Sequence, residues 1–286
     1  MPKSILREKL LAFLKEDVGM GDITSEAVIP MGLKVEAQII AKEPCVVAGL
    51  SEIKMLFEML DVKVVRSVNE GEEVNPGTVV AEILGEARAI LTAERTALNI
   101  ITRMSGIATM TRKIKKKVAN LKGKLRIAAT RKTAPGLMYF DKKAVEIGGG
   151  DTHRFRLDDA VLIKDNHIVA AGGVENAIRR ARSAISFTKK IEIEVKSLEE
   201  SLKAAYLGVD IVMLDNMTPE KVRETIEALK ERGLREKVLV EVSGGINEEN
   251  IIEYAEAEPD IISIGALTHS AKAADMSLEI VKIAGC

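Results

Sequence analysis

The sequence lacks tryptophan, holds two cysteines, and has aromatic side chains at 3% of its positions. Cys45 and Cys286 have neither the paired spacing of a zinc site nor enough companions for a disulfide framework, so neither is expected. The longest stretch without a charged residue is 261–271, far short of the roughly 20 apolar residues that a membrane helix needs. Residues 1–15 alternate charged with apolar side chains, unlike a secretion signal, and we therefore expect a cytoplasmic location.

The sequence also lacks an excess of charge of either sign, since it has 42 lysines and arginines and 43 aspartates and glutamates, for a net charge of −1. This balance argues against binding to nucleic acid or to an anionic membrane, which normally requires a basic surface. The chain has 286 residues, of which 47% are hydrophobic and 30% are charged. That composition excludes disorder as the main state and predicts a folded protein of one large domain or two moderate ones.

The first part of the chain mixes helical and extended patterns. Apolar residues recur at helical spacing over Ser4–Glu16 and Glu52–Leu60. Val35–Val47 has the pattern of extended segments interrupted at Glu43-Pro44, and Val79–Leu84 has that of a strand.

Two longer helices are predicted over Ala89–Met104 and Ile107–Leu121, because Ser105-Gly106 interrupts the pattern between them. The turn-rich stretch Asn69–Gly77, with the strand that follows it, looks like part of a lipoyl or biotinyl carrier domain. Such carriers display a modified lysine on a hairpin, and this stretch has none. We therefore interpret the similarity as one of architecture.

From about Ile127 onward, short β-rich runs alternate with helical ones. The predicted strands are Leu125–Thr130, Ala160–Lys164, Ile191–Val195, Ile211–Asp215, Val238–Val242 and Ile261–Ile264. The predicted helices are Val174–Ile185, Leu198–Leu207, Pro219–Arg232 and Glu248–Ala257, with Thr218-Pro219 and Asn247 as helix starts. About six or seven such units predict parallel strands joined by crossovers, in an α/β barrel or partial barrel.

Charged side chains occupy one face of several predicted strands. In Ile191–Val195 the alternation places Glu192 and Glu194 opposite the apolar residues that should meet the helices, so both glutamates should point into the barrel. The same alternation points further polar residues inward near the ends of other strands: Lys164, Asp215, Glu241 and Ser243. Active sites of barrels lie at this carboxyl edge. Glu192 and Glu241 lie one layer deeper, and we interpret them as structural partners of the lysines.

Basic residues follow the first of these strands and a nearby glycine-rich turn. Thr130-Arg-Lys-Thr133 supplies Arg131 and Lys132, and the turn from Gly148 to Arg154 supplies His153 and Arg154. Because arginine offers a bidentate fork to a carboxylate or phosphate, these cations favour a dianionic substrate.

Glycine-containing turns follow two later strands, at Ser243-Gly-Gly-Ile246 and Gly265-Ala-Leu267. In barrels, such turns often present backbone N–H groups to a phosphate. The combined pattern predicts a pocket with cations for a polyanion and carboxylates for a metal ion or hydroxyl groups.

The motifs occur together in an order that resembles one enzyme family. They are Glu16-Asp-Val-Gly-Met-Gly-Asp-Ile-Thr-Ser25, Glu94-Arg-Thr-Ala-Leu-Asn99, Met104-Ser-Gly-Ile-Ala108, Thr130-Arg-Lys-Thr133, Gly148-Gly-Gly-Asp-Thr-His-Arg154, Lys164-Asp-Asn-His167, Leu214-Asp-Asn216, Val242-Ser-Gly-Gly-Ile246 and Gly265-Ala-Leu-Thr-His269. This set, which runs over nearly the whole chain, closely resembles the decarboxylating quinolinate phosphoribosyltransferases of NAD biosynthesis.

The resemblance implies phosphoribosyl transfer from phosphoribosyl pyrophosphate to quinolinate, with Mg²⁺ as the cofactor and with nicotinate mononucleotide, pyrophosphate and CO₂ as products. It also implies an N-terminal α/β sandwich over 1–106, onto which 270–286 packs back, and an incomplete seven-stranded α/β barrel over 107–269. A homodimer or larger homo-oligomer is implied as well, with each active site shared between subunits.

The resemblance further implies roles for individual residues. Arg95 would reach the substrate across the dimer, and Glu194 and Asp215 would face the ribose hydroxyls and Mg²⁺. The quinolinate carboxylates would be held by Arg131, His153 and Arg154. Lys132 and Lys164 would lie between those carboxylates and the pyrophosphate. The 5′-phosphate would be bound by Ser243, Gly244, Gly245 and Gly265, with His269 beside it. The catalytic set would be Lys132, Lys164, Glu194 and Asp215.

Other functions remain open from the sequence. A paralogous phosphoribosyltransferase of the same fold, such as the type associated with molybdenum transport, would keep the ribosyl and phosphate half of the site and change the base. A Schiff-base lyase would use Lys164 as its nucleophile. A non-enzymatic carrier or interaction module is disfavoured by the missing display lysine and the polar strand ends.

Overall fold

The computed structural model describes residues 1–121 and 125–284, so that Cys286 lies outside the described residues. The strands are β1 (Lys34–Ala41), β2 (Cys45–Val46), β3 (Lys63–Ser67), β4 (Glu73–Val74), β5 (Val79–Glu86), β6 (Arg126–Ala128), β7 (Val161–Ile163), β8 (Ile191–Val195), β9 (Ile211–Asp215), β10 (Leu239–Ser243), β11 (Ile261–Ser263) and β12 (Met276–Ile283). The α-helices are α1 (Lys3–Val18), α2 (Ile23–Val28), α3 (Leu50–Glu58), α4 (Ala87–Val118), α5 (Met138–Ile147), α6 (Asp165–Ala171), α7 (Val174–Ala184), α8 (Leu198–Tyr206), α9 (Pro219–Glu231), α10 (Ile251–Ala255) and α11 (Ala266–His269).

The chain divides into two compact units. The first contains Met1–Met110, Tyr139–Gly148 and the described residues from Ala271 onward. The second contains the described residues of Thr111–Met138 together with Gly149–Ser270. Among the described residues, no helix combines the length and the apolar character that crossing a membrane requires.

The first unit is built on an antiparallel sheet with the strand order β12-β1-β5-β3. Its central strand β1 buries alternate residues, Val35, Ala37, Ile39 and Ala41, so that one face of the strand enters the core. The break predicted at Glu43-Pro44 is present, because β1 ends at Ala41 and β2 begins at Cys45. An N-terminal α/β sheet domain is thus confirmed.

The predicted break at Ser105-Gly106 is wrong, because α4 runs without interruption from Ala87 to Val118. Both residues serve packing within the first unit. The Ser105 hydroxyl accepts a hydrogen bond from the backbone N–H of Ala48 at 3.0 Å. A Cβ atom on Gly106 would lie 1.9 Å from the carbonyl oxygen of Lys272, so only glycine permits this backbone approach. The small residue reflects a close tertiary contact rather than a helix end.

The segment Tyr139–Gly148 belongs to the first unit, although it follows β6 in the chain. Phe140 packs against Phe13, with ring centroids 5.6 Å apart. Asp141 is buried and accepts two hydrogen bonds from the Arg103 guanidinium, at 2.7 and 2.8 Å. A buried carboxylate needs such a partner, and Arg103 provides it within this unit.

The second unit holds a parallel sheet in the order β6-β11-β10-β9-β8-β7. All of these strands coincide with predicted ones to within two residues at either end, and α7, α8 and α9 lie where helices were predicted. An isolated parallel bridge between Ala128 and Asp151 extends the sheet beyond β6. In the described part of this unit the parallel sheet therefore has six strands and one bridge, and the seventh strand of the expected barrel is reduced to the position of Asp151.

Of the two predicted helix starts, Thr218-Pro219 is confirmed and Asn247 is wrong. Thr218 accepts a hydrogen bond from the N–H of Lys221 and precedes Pro219, as a helix cap should. The amide oxygen of Asn247 instead caps a turn that precedes α10, since it accepts from the N–H of Glu249 at 2.8 Å. The helix α10 consequently begins later than predicted, at Ile251.

Candidate active site

A cavity of about 530 Å³ opens at the carboxyl ends of the parallel strands in the second unit. Most of the predicted site residues line it: Arg131, Lys132, His153, Arg154, Lys164, Glu194, Asp215, Ser243, Gly244 and Gly245. Other lining residues include Ala129, Thr130, Leu162, Met213, Asn216, Glu241 and Ser263. The pocket is therefore polar and charged, as a site for a small anionic molecule requires.

The predicted alternation of side chains explains why these residues meet. Parallel pairing places Glu194 of β8 beside Met213 of β9, and Asp215 of β9 beside Ser243 of β10. The residues that alternate with them along each strand, such as Val195 and Leu214, are apolar and buried. Inward-facing polar residues on successive strands are thus brought to one edge of the sheet.

Lys164 and Glu194 form a close ion pair in the pocket, with 2.5 Å between Lys164 Nζ and Glu194 Oε1. The glutamate side chain is 14% exposed and the lysine 45%, so the pair lies at the solvent-accessible face of the cavity. Lys164 also precedes α6, and its backbone N–H donates to His167 Nδ1 at 2.9 Å. This hydrogen bond fixes the backbone that carries the lysine.

Two carboxylates lie at the ends of adjacent strands, Glu194 on β8 and Asp215 on β9. Among the described residues, no hydrogen bond or ion pair is made to the carboxylate of Asp215. Oxygen ligands suit Mg²⁺, which is usually held by one or two carboxylates together with substrate phosphates. The donor chemistry of these two residues fits such an ion.

His153 lies between two buried glutamates. Its Nε2 atom is 3.2 Å from Glu241 Oε2 and 3.4 Å from Glu192 Oε2. Our interpretation of Glu192 and Glu241 as partners of lysines is therefore wrong, since the imidazole of His153 is their partner. The alternation along the strands correctly predicted that Glu192 and Glu241 are buried, but it did not predict that His153, from a loop, contacts them. Burial also raises the pKa of Glu192.

The protonation of His153 is decided by opposing influences. Burial alone would lower its pKa, but the hydrogen bonds and charges of Glu192 and Glu241 outweigh burial and raise the pKa to about 10. The backbone N–H of Arg154, 2.8 Å from Nδ1, opposes this because it requires a bare Nδ1. The charges of two close carboxylates favour the imidazolium, whose second proton, on Nδ1, would displace the hydrogen bond from the Arg154 N–H. We therefore predict that the ring is charged at neutral pH.

The same three residues are close enough to share a metal ion, with ligand atoms all within 4.8 Å of one another. A metal would need a lone pair on His153 Nε2, because histidine coordinates in its deprotonated form. A ring charged at both nitrogens has no such lone pair. If the ring is charged as predicted, His153, Glu192 and Glu241 hold a proton and not a metal ion.

This assignment predicts a spectroscopic result. The chain has three histidines, so ¹⁵N-histidine NMR with a His153→Gln variant identifies the signal. We expect both ring nitrogens of His153 to be protonated at pH 7. In Glu241→Gln the pKa should fall, because one carboxylate charge and one acceptor are lost, and Glu253→Gln, an exposed control on α10, should leave it unchanged. An unprotonated Nδ1 at pH 7 in the unmodified protein would contradict the assignment.

Glycine-containing turns follow β10 and β11, and the one after β10 lines the cavity. Gly244 has a φ of +100°, and a Cβ atom there would lie 2.3 Å from the side-chain oxygen of Asn216. Glycine is therefore required for this turn. Gly265 lies beside His269, since a Cβ atom on it would be 3.0 Å from the imidazole ring. Ser243 and Gly245 complete the turn that lines the pocket.

Some lining residues were not predicted, and three predicted residues, Arg95, Gly265 and His269, are not among the residues that line the cavity. Asn216 has a φ of +54° and stands beside Gly244; its signal was its position directly after Asp215. Ser263 is buried at the end of β11 without a charged neighbour in sequence to mark it. Arg95 lies on α4 in the first unit, where its side chain is exposed.

A parallel sheet with cations, paired carboxylates and glycine turns at its carboxyl edge defines an α/β enzyme that acts on a small polyanion. Two family models match the chain: Quinolinate phosphoribosyl transferase, N-terminal domain, over residues 22–105, and the C-terminal domain of the same name over residues 107–279. The chain belongs to the quinolinate phosphoribosyl transferase family.

Curated relatives and solved structures are similar to this chain over most of its length. A protein of Methanothermobacter thermautotrophicus, named probable nicotinate-nucleotide pyrophosphorylase [carboxylating], is 49% identical over 276 residues, covering 96% of this chain and 98% of its own. The human nicotinate-nucleotide pyrophosphorylase [carboxylating] is 40% identical over 245 residues, covering 86% and 82%. The crystal structure of NadC from Streptococcus pyogenes matches with a TM-score of 0.90, 36% identity and 99% coverage of both chains.

Proposed function

We propose that the protein transfers the phosphoribosyl group of phosphoribosyl pyrophosphate to quinolinate and releases CO₂, forming nicotinate mononucleotide and pyrophosphate for de novo NAD biosynthesis. Family membership supports this reaction. The observation that carries the proposal is the gathering of cations in one strand-end pocket, namely Arg131, Lys132, His153 and Arg154. Quinolinate is a dianion with adjacent carboxylates, and guanidinium groups bind carboxylates in a bidentate fashion.

The cations lie close enough to affect one another. Burial and the charge of Arg131 lower the pKa of Arg154. Because these like charges repel, a dianion placed between them gains more than it would beside either one alone. His153 lies against Glu192 and Glu241, so its own charge is already paired, and its contact with the Arg154 backbone would help to position that guanidinium. This half of the pocket would hold the quinolinate carboxylates and orient the pyridine nitrogen.

The remaining residues suit the phosphoribosyl donor. The turn at Ser243, Gly244 and Gly245 would bind the 5′-phosphate, together with Gly265 and the neighbouring His269. Backbone N–H groups in such turns bind phosphate oxygens. Lys132 and Lys164 would lie between the carboxylates and the departing pyrophosphate, where two positive charges favour the leaving group.

The first chemical step breaks the bond between C1 of the ribose and pyrophosphate while the pyridine nitrogen bonds to C1. Positive charge develops on the ribose, and the carboxylates of Glu194 and Asp215 would stabilise it. When bound, Mg²⁺ would supply charge neutralisation for the pyrophosphate. Most of the rate acceleration should come from positioning and electrostatics, since no covalent bond to the protein is needed.

The second step breaks the bond between C2 of the pyridine ring and its carboxylate. CO₂ departs, the electron pair stays on C2, and C2 then takes a proton from solvent water. The adjacent ring nitrogen, positive after the first step, stabilises this electron pair. The pocket cations would therefore serve binding and orientation, while the quaternary ring accepts the charge.

We also propose a homodimer in which Arg95 of one subunit reaches the quinolinate of its partner. Arg95 is exposed on α4. In the same unit, a short segment exposes large apolar side chains that a partner would cover: Met20 at 106%, Ile23 at 80%, Val28 at 67% and Met31 at 84%. Apolar surface of this kind often marks an interaction site.

The test is a coupled product assay. The purified protein is mixed with quinolinate, phosphoribosyl pyrophosphate and Mg²⁺, and CO₂ and nicotinate mononucleotide are measured together, with nicotinate as the parallel substrate. We expect equal release of both products from quinolinate and none from nicotinate. A folded sample that is inactive with quinolinate would contradict the proposal and favour a paralogue that uses another base.

A further inference from the structure

The loop that carries Arg131 and Lys132 is held by two threonine hydroxyls. On one side, the Thr130 hydroxyl accepts a hydrogen bond from the backbone N–H of Lys132 at 3.1 Å. On the other, the Thr268 hydroxyl donates to the backbone carbonyl of Lys132 at 2.7 Å. Thr130 is next to the loop in sequence, whereas Thr268 comes from α11, far along the chain.

Thr268 connects Lys132, which lines the pocket, with the turn that carries Gly265 and His269. It is 1% exposed, and it lies next to His269 in the turn that follows Gly265. A Cβ atom on Gly265 would be 3.0 Å from the ring of His269 and 3.2 Å from the side chain of Lys132. The lysine and the histidine thus flank the same glycine, and the hydroxyl of Thr268 joins their backbones.

The Thr268 hydroxyl lies near two backbone carbonyl oxygens, and the distances show which one accepts the stronger hydrogen bond. A threonine in a helical turn commonly donates to a carbonyl three or four residues earlier, and Thr268 does approach the carbonyl of Gly265, at 3.3 Å. The carbonyl of Lys132 is closer, at 2.7 Å. A hydroxyl carries one proton, so the hydrogen bond from Thr268 to the carbonyl of Lys132 is the stronger one.

We propose that Thr268 is a positioning residue that holds the backbone of Lys132 and so places that ammonium group beside Gly265 and His269. The role of Lys132 at the pyrophosphate rests on the proposed function. Displacement of a catalytic group by about 1 Å can cost on the order of 100-fold in rate. Loss of this one hydrogen bond should therefore affect turnover more than folding.

The experiment compares two substitutions that separate the hydroxyl from the methyl group. Thr268→Val keeps the shape and removes the donor, and we expect kcat/KM to fall about 10- to 100-fold with little change in melting temperature. Thr268→Ser keeps the donor and leaves a small cavity, so it should retain activity within about twofold while losing some stability. A purely structural role would make activity follow stability, and that result would overturn the proposal.

A matched control exists in the same unit. Thr225 is also 1% exposed, and its hydroxyl donates to the carbonyl of Lys221 at 2.8 Å. Thr225→Val removes a buried hydroxyl of the same kind in α9, outside the pocket lining, and should leave kcat/KM unchanged. An equal loss in Thr225→Val and Thr268→Val would show a general effect of buried hydroxyls and would overturn the proposal.

A double substitution tests whether Thr268 acts through Lys132. If it does, adding Thr268→Val to Lys132→Ala should cause little further loss, whereas independent effects would multiply and contradict the proposal. Binding of inorganic pyrophosphate, measured by calorimetry, keeps the test independent of turnover. Should the unmodified protein fail to convert quinolinate, the proposed function fails. Weaker pyrophosphate binding in Thr268→Val than in Thr268→Ser would still support the positioning role, and equal or undetectable binding would overturn it.

Discussion

Replacement of Lys164 by alanine should lower kcat/KM for quinolinate and phosphoribosyl pyrophosphate by about 10²- to 10³-fold, the usual cost of removing one group that stabilises developing charge. The substitution removes an ammonium group that lies 2.5 Å from Glu194. It also leaves that carboxylate, 14% exposed, without its partner beside the reacting anions. Steady-state kinetics with both substrates varied would measure the loss, and circular dichroism would establish that the fold is intact.

The control for this variant is another lysine in an ion pair. Lys230, 53% exposed, contacts Glu258 at 3.4 Å on the surface of the second unit. Exposed pairs of this kind contribute about 0–1 kcal/mol, so Lys230→Ala should keep full activity. Near-normal turnover of a folded Lys164→Ala protein would remove Lys164 from the site.

The same variant can test the proposed sharing of sites between subunits. Lys164→Ala and Arg95→Ala proteins should each have low activity alone. If Arg95 acts in the partner's pocket, dissociating and reassociating a mixture of the two should restore part of the activity, because some hybrid sites would contain both residues. No recovery in a sample shown to exchange subunits would contradict an action of Arg95 across the dimer.

Replacement of Gly106 by alanine should destabilise the protein by about 2–3 kcal/mol, in the range found when extra atoms are forced into a packed core. In an ordinary helix interior the same change is stabilising by about 1 kcal/mol. The sign is reversed here because the added Cβ would lie 1.9 Å from the carbonyl oxygen of Lys272. Thermal unfolding should show a fall in melting temperature of roughly 5 °C or more.

Asn99→Ala provides the comparison on the same helix. Asn99 is exposed on α4, and alanine has the higher helix propensity, so this variant should be as stable as the unmodified protein or slightly more so. A Gly106→Ala protein at least as stable as Asn99→Ala would contradict the close approach of the chain near Lys272 to α4.

Periodicity and strand alternation predicted much of the second unit because both are local properties of the chain. The strands β8 and β9 have the predicted bounds, Ile191–Val195 and Ile211–Asp215. Alternation along these strands was enough to place Glu194 and Asp215 at one edge of a parallel sheet. The family resemblance then added roles that strand patterns do not contain, including that of Arg95.

Contacts between distant segments were not predictable in this way. The pairing of Glu192 and Glu241 with His153 depends on where a loop returns over the sheet. The hydrogen bond from Thr268 to Lys132 joins residues from the two ends of the second unit. In both cases the sequence shows the polar residue but not its partner, because the partner is chosen by tertiary packing.

The sequence by itself determined the alternation of strands and helices and the inward direction of the strand carboxylates. It also has neither the basic excess that nucleic-acid binding normally requires nor an apolar run long enough for a membrane helix. Only the tertiary structure decided that Ser105-Gly106 lies within the continuous helix α4 and that Tyr139–Gly148 packs with the first unit. A glycine in a helical sequence pattern can mark either a helix end or a close contact. Its flexibility destabilises the helix locally, but a close backbone contact that needs it involves a residue far away in the chain, which the local pattern does not show.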